Sequence, residues 1–133
     1  MSTRFSQEQL AAINSPGNVI VSAGAGSGKT TVMVERVVKK LLAGNKLDKM
    51  LIVTFTRASA ADIRVKLAER LTRLKRENAH DANVRAIAAE ALEALPVCNI
   101  GTLHSFCQRL IRSYYYAARS IPRRRLRTTG RRK

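Results

Sequence analysis

Val19-Ile20-Val21-Ser22-Ala23-Gly24-Ala25-Gly26-Ser27-Gly28-Lys29-Thr30-Thr31 is a short β-branched run that passes into closely spaced glycines and then into a helical pattern. That order predicts a strand, a tight loop and a helix. Glycines at this spacing let consecutive backbone N–H groups turn inward around an anion. A helix opening at Lys29 points its positive end at the same place. Lys29 then reaches the outer phosphates of a nucleotide, and the Thr30 hydroxyl is placed to hold Mg²⁺. Ala23 to Thr31 are therefore the candidate phosphate-binding set, with Thr30 the candidate metal ligand. The strict G-x-x-x-x-G-K-[ST] pattern asks for glycine where this chain has Ala23.

Upstream, Ser6-Gln7-Glu8-Gln9 has the form of a capping box, and Leu10 and Ile13 give a short helix its apolar side before Asn14-Ser15-Pro16-Gly17. Downstream, Val34, Val37, Val38, Leu41 and Leu42 trace one helical face that is expected to pack on the sheet. Met50–Phe55 is a continuous apolar run, the mark of a parallel strand covered on both faces. Ser59 with Asp62 marks a helix start, with Ala60, Ile63, Leu67, Leu71 and Leu74 as its apolar stripe and Arg64, Lys66, Arg70, Arg73, Lys75 and Arg76 as a basic surface. Val84, Ile87, Ala88, Ala91, Leu92 and Leu95 form a further stripe up to Pro96. Val97–Thr102 reads as a third strand that leads into Leu103, Phe106, Cys107, Leu110, Ile111 and Tyr114 at helical spacing. Strands alternating with helices make an α/β fold of the P-loop NTPase kind, with parallel strands flanked by helices.

The chain has 133 residues with 45% hydrophobic content, enough for one domain with a core. Its formal charge of +16 calls for a polyanionic partner. Eight of the 25 Lys and Arg residues fall between Arg119 and Lys133, and the other 17 against nine acids still leave +8. Cys98 and Cys107 form no ligand-spaced pair, so a disulfide framework or zinc site is unsupported, and they read as reduced thiols of a cytoplasmic protein. The first residues carry no apolar leader and no run approaches a membrane span, so no membrane partner is expected. From Ile121 the periodicity stops, and residues 119–133 are expected to be a basic, disordered tail.

Phe5-Ser6-Gln7-Glu8-Gln9, Ser22–Thr30, Val53-Thr54-Phe55-Thr56-Arg57-Ala58 and Thr102-Leu103-His104-Ser105-Phe106-Cys107, in that order, resemble the UvrD/Rep-type superfamily 1 DNA helicases. The wording is similar to the N-terminal part of the AddA-type ATP-dependent helicase/nuclease subunits of AddAB recombination complexes, Tyr114-Tyr115-Tyr116 included. The resemblance implies that residues 1–118 are a partial helicase ATP-binding domain, the first RecA-like domain (1A), with ATP and Mg²⁺ as cofactors. It implies an ATP-dependent helicase that moves along single-stranded DNA in recombinational double-strand break repair, beside an AddB-like partner subunit. Gln9 would match the adenine-contacting glutamine, an amide that donates and accepts at once. Thr54, Phe55, Thr56 and Arg57 would match one DNA-contacting segment, and Thr102, His104, Ser105 and Phe106 a second. The family usually has Asn where this chain has Arg57.

The residues themselves leave other readings open. Gln9 also serves as a cap partner for Ser6, Phe55 as a buried strand-end aromatic, and His104 as a capping or interior histidine. The acids are Glu8, Glu35, Asp48, Asp62, Glu69, Glu77, Asp81, Glu90 and Glu93, and no Asp-Glu pair follows a strand, so the water-activating acid of a motor has no counterpart here. Together with the arginine-dense end, this makes a truncated, catalytically inactive ATP- and DNA-binding fragment the alternative expectation. A small P-loop kinase is disfavoured by Thr102–Phe106.

Overall fold

The computed structural model describes residues 5–24 and 26–115. Ala25, Tyr116 and residues 119–133 lie outside the described residues, and with them one loop position and the expected tail. The described chain forms α1 (Gln7–Asn14), α2 (Lys29–Leu42), a single 3₁₀ turn (Leu47–Lys49), β1 (Leu51–Thr54), α3 (Arg57–Glu77), α4 (Ala82–Ala94), β2 (Asn99–Thr102) and α5 (Leu103–Ser113).

The long helix α3 is the centre of the packing. Its stripe Ala60, Ile63, Leu67, Leu71 and Leu74 is buried as the heptad-like spacing predicts, with Leu67 and Leu71 fully enclosed. Ile52 and Ile100 meet it from the sheet, Val34, Val37, Val38 and Leu41 from α2, and Ala88 and Ala91 from α4. Alanines at the α3–α4 seam allow the two helices to approach closely. Thus α2 lays its apolar face against α3 and α4, where the sequence led us to expect the sheet.

β1 and β2 run parallel in a two-stranded sheet, with Leu51 opposite Asn99 and Thr54 opposite Thr102. A helix-bearing crossover joins them, as parallel strands require. Only one face of this sheet is covered: Ile52 is buried, whereas Leu51 and Val53 are exposed, in place of the two covered faces expected. The run Val19-Ile20-Val21 forms no strand, and Ile20 is 98% exposed. A strand exists only through a ladder partner, and among the described residues β1 and β2 pair with each other and leave this run alone. The α/β character therefore holds as a small parallel sheet with helices, without the expected strand ahead of the glycine loop.

One boundary and two side chains differ from expectation for identifiable reasons. α3 starts at Arg57, because Thr56 takes an extended conformation (φ −119°, ψ 150°) and its hydroxyl accepts from the Ser59 N–H. Arg64 and Arg70 leave the basic surface expected of α3. Arg64 donates to the carbonyls of Leu95 (2.7 Å) and Ile100 (2.6 Å), tying the end of α4 and the edge of β2 to α3. Arg70 forks onto the Glu35 carboxylate of α2.

Candidate functional site

The glycine loop runs from Ser22 to Gly28 and delivers the chain into α2. Gly26 and Gly28 have φ of 77° and 82°, a left-handed region that costs side chains other than glycine dearly. Gly28 caps α2 without a side chain, so the first turn of that helix has no side-chain acceptor on its N–H groups. The Ser27 hydroxyl donates to the Gly24 carbonyl at 2.7 Å and closes the loop on itself. Lys29 folds back over it, its Nζ donating to the carbonyls of Ala23 and of Gly24, the latter at 2.8 Å. The Thr30 hydroxyl is half-buried and has no partner among the described residues; Thr31 follows it in the same turn. Of the nucleotide set, all but Ala25 are thereby placed, and they gather at one end of α2.

α1 closes this end from the side. Ser6 and Gln9 form the reciprocal cap that their spacing predicts: the Gln9 N–H donates to Ser6 Oγ at 3.2 Å and Ser6 N–H to Gln9 Oε1 at 2.9 Å. Gln9 does more than cap, because its Nε2 donates to the Ser27 carbonyl at 3.1 Å. The amide is thus oriented by its neighbours, oxygen toward Ser6 and nitrogen toward Ser27. One lone pair on Oε1 and one hydrogen on Nε2 remain for a further partner. A Cβ on Gly28 would lie 3.0 Å from Gln9 Nε2, so glycine at 28 also admits the amide. Gln9, Ala23, Ser27 and Lys29 line a cavity of about 140 Å³, together with Glu8 and Val21.

The second and third candidate segments come together at the carboxyl ends of β1 and β2. Thr54, Phe55, Arg57, Thr102, Leu103, His104 and Ser105 line one open cleft of about 380 Å³. The register that pairs Thr54 with Thr102 accounts for it, since each strand runs directly into a helix on the same rim. The two helices start alike. Thr56 Oγ1 accepts from Ser59 N–H at 3.0 Å and meets Ser59 Oγ at 2.7 Å, and Thr102 Oγ1 accepts from Ser105 N–H at 3.1 Å and meets Ser105 Oγ at 2.8 Å. These hydroxyls cap helices, and α3 and α5 turn two N-termini toward the cleft. Phe55 is fully exposed, which overturns the buried strand-end alternative. Arg57 is exposed on the first turn of α3, His104 is exposed and bonded to Gln108 at 3.1 Å, and Phe106 is half-buried in α5. The Thr-x-x-Ser repeat at 56–59 and 102–105 is the sequence signal for this paired geometry.

A larger cavity, about 780 Å³, lies elsewhere, between the end of α2, the 3₁₀ turn and α4. It gathers none of the candidate residues. An exposed Lys46–Glu90 bond of 2.6 Å crosses this region and holds the Lys46 ammonium above its ordinary value of 10.5.

Residues 5–129 match the UvrD/REP helicase N-terminal domain. The chain belongs to this family. Within the UvrD/REP helicases it is similar to an ATP-dependent helicase/nuclease subunit of Pediococcus pentosaceus, at 42% identity over 113 residues, or 84% of this chain and 9% of that protein. The like-named protein of Carboxydothermus hydrogenoformans is 46% identical over 114 residues, 83% of this chain and 9% of the relative. That of Leuconostoc mesenteroides is 40% identical over 127 residues, 95% of this chain and 10% of the relative. The chain spans about a tenth of the length of these helicase/nuclease subunits. No helix among the described residues of this UvrD/REP domain is long and apolar enough to cross a membrane.

Proposed function

We propose that the chain is the ATP-binding front portion of a helicase that moves along single-stranded DNA in recombinational double-strand break repair. The observation that carries this is the oriented Gln9 amide beside Lys29 and the glycine loop. Its spare donor and acceptor suit the N7 and N6 groups of adenine, a pairing that guanine, with acceptors at both positions, cannot repeat. The loop residues Ala23 to Thr31 take the phosphates: Lys29 exchanges two carbonyl partners for phosphate oxygens, and the free Thr30 hydroxyl holds Mg²⁺. When bound, Mg²⁺ neutralises the outer phosphates. The loop fits this role, having positive-φ glycines, an uncapped helix start and a cation already folded across it.

DNA takes the cleft at the strand ends. Two helix N-termini and Arg57 favour phosphates, while Phe55 offers an exposed face for a base. His104, Ser105, Thr54, Thr56, Thr102 and Phe106 form the rest of that surface. The relatives are named subunits of a helicase/nuclease, which supports an AddB-like partner subunit for the working assembly.

A second reading, a binding module without turnover, is favoured by the acids. None of the nine stands at the end of β1 or β2, and Glu8 alone lines the loop cavity, on the Gln9 side. Nucleotide binding and hydrolysis are therefore separate proposals for this chain. Calorimetry with Mg·ATP on the parent chain, Q9A and K29A tests the first. Equal affinities in all three would overturn it.

A further inference from the structure

We infer that Arg36 is a positioning residue for Gln9: its guanidinium fixes α1 against α2 so that the Gln9 amide meets the adenine of a nucleotide held by the glycine loop. The inference rests on the nucleotide reading above.

α1 has eight residues and one buried side chain, Ile13, so its own hydrogen bonds and apolar packing leave much of its placement to polar contacts. Besides the Gln9 bond to Ser27, these come from α2. Arg36 Nη1 donates to the Ala12 carbonyl at 2.7 Å and Nη2 to the Gly17 carbonyl at 3.1 Å. Lys39 Nζ donates to Asn14 Oδ1 at 2.7 Å. Ala12 is a last-turn carbonyl of α1, one of those a helix cannot satisfy within itself. α1 has no basic residue in its own last turn, so Arg36 and Lys39 supply the positive charge that its C-terminal end favours. Gly17 O lies just past that end, where the chain turns toward Val19 and the loop. One planar guanidinium thus spans both sides of the turn, a geometry that a single ammonium cannot match.

Arg36 lies seven residues after Lys29, close to two helical turns and on nearly the same side of α2. The helix is then a ruler of roughly 10 Å between the cation at the phosphates and the cation that holds α1. α1 is a single helix of eight residues, so a shift of its end at the Ala12 carbonyl moves Gln9 with it. Loss of Arg36 should loosen the adenine contact and spare the phosphate contacts.

Calorimetry on the 133-residue chain with Mg·ATP, Mg·GTP and inorganic tripolyphosphate tests this on the parent, Q9A, R36Q, R36K and Q9A/R36Q. The parent is expected to prefer ATP over GTP by about fivefold or more, a preference that Q9A removes. R36Q should lose the preference to within about twofold of Q9A, with the double variant no worse and tripolyphosphate affinity unchanged. R36K should fall between parent and Q9A, and it decides the matter where R36Q does not fold. Parent-like preference in folded R36Q, or in R36K in its place, overturns the inference, as does an equal loss for all three ligands. A parent chain without the preference, or a Q9A that keeps it, overturns the adenine reading itself and this inference with it.

Discussion

Lys29 Nζ donates to the carbonyls of Ala23 and Gly24, so its ammonium is folded across the loop, where it can exchange those carbonyls for phosphate oxygens. Charge-assisted bonds of this kind are worth about 1.5–3 kcal/mol. K29A should therefore weaken Mg·ATP binding by about 10- to 150-fold, read by calorimetry. Its thermal transition should stay near that of the parent, since Lys29 is exposed. Leu67 is the opposite case. It has no exposed surface and is surrounded by residues from the sheet, α2 and α4. L67A should cost about 2–5 kcal/mol in chemical denaturation. Reading single residues from sequence succeeded where the role is local, as for Gln9 and Ser6, whose reciprocal cap needs only three residues of spacing. It failed for Arg64 and passed over Arg36, whose partners are carbonyls 31 and 24 residues away. A long cation looks the same in sequence whether it is solvated or caps distant backbone.

The helices obey their periodicity because each can form from its own hydrogen bonds, and the buried stripe of α3 is residue for residue the one its spacing predicts. Strands do not have that independence. Val19–Val21 has the residues of a strand and lacks a ladder, and β1 alternates exposed and buried although its run is apolar throughout. The same limit applies to α5, which has an apolar stripe and buries none of it. What the elements share is the device at their starts: Thr56 and Thr102 end an extended segment and cap the next helix. T56A and T102A should each cost about 1 kcal/mol of stability. Both should also weaken single-stranded DNA binding, because an uncapped first turn frays and takes its N–H groups out of the cleft. DNA affinity unchanged in both variants, measured by fluorescence anisotropy, would remove the cleft from the proposed track.

At the scale of the whole molecule, charge and missing acid lead in different directions, and one set of measurements separates them. With +16 overall and nine acids against 25 cations, the chain should bind single-stranded DNA without sequence preference. If about four to six phosphates are neutralised, log affinity should fall against log salt with a slope of about −3 to −4. Replacing the eight cations between Arg119 and Lys133 with glutamine should flatten that slope. R57Q should shift the affinity by a smaller, roughly single-contact amount, because only one exposed cation at the cleft is removed. ATP turnover follows a different rule. Hydrolysis of the outer phosphate depends on a carboxylate that orients water and on cations that meet the transition-state charge. Lys29 supplies a cation, but the acids at Glu35, Asp62, Glu69 and Glu77 lie along α2 and α3, Glu35 already held by Arg70 and Asp62 by Lys66. Turnover by the 133-residue chain should therefore stay near background with DNA added, even at salt concentrations where DNA is fully bound. DNA-stimulated hydrolysis would show that an acid reaches the phosphates after all, and Glu8, which lines the loop cavity, is the one to replace first.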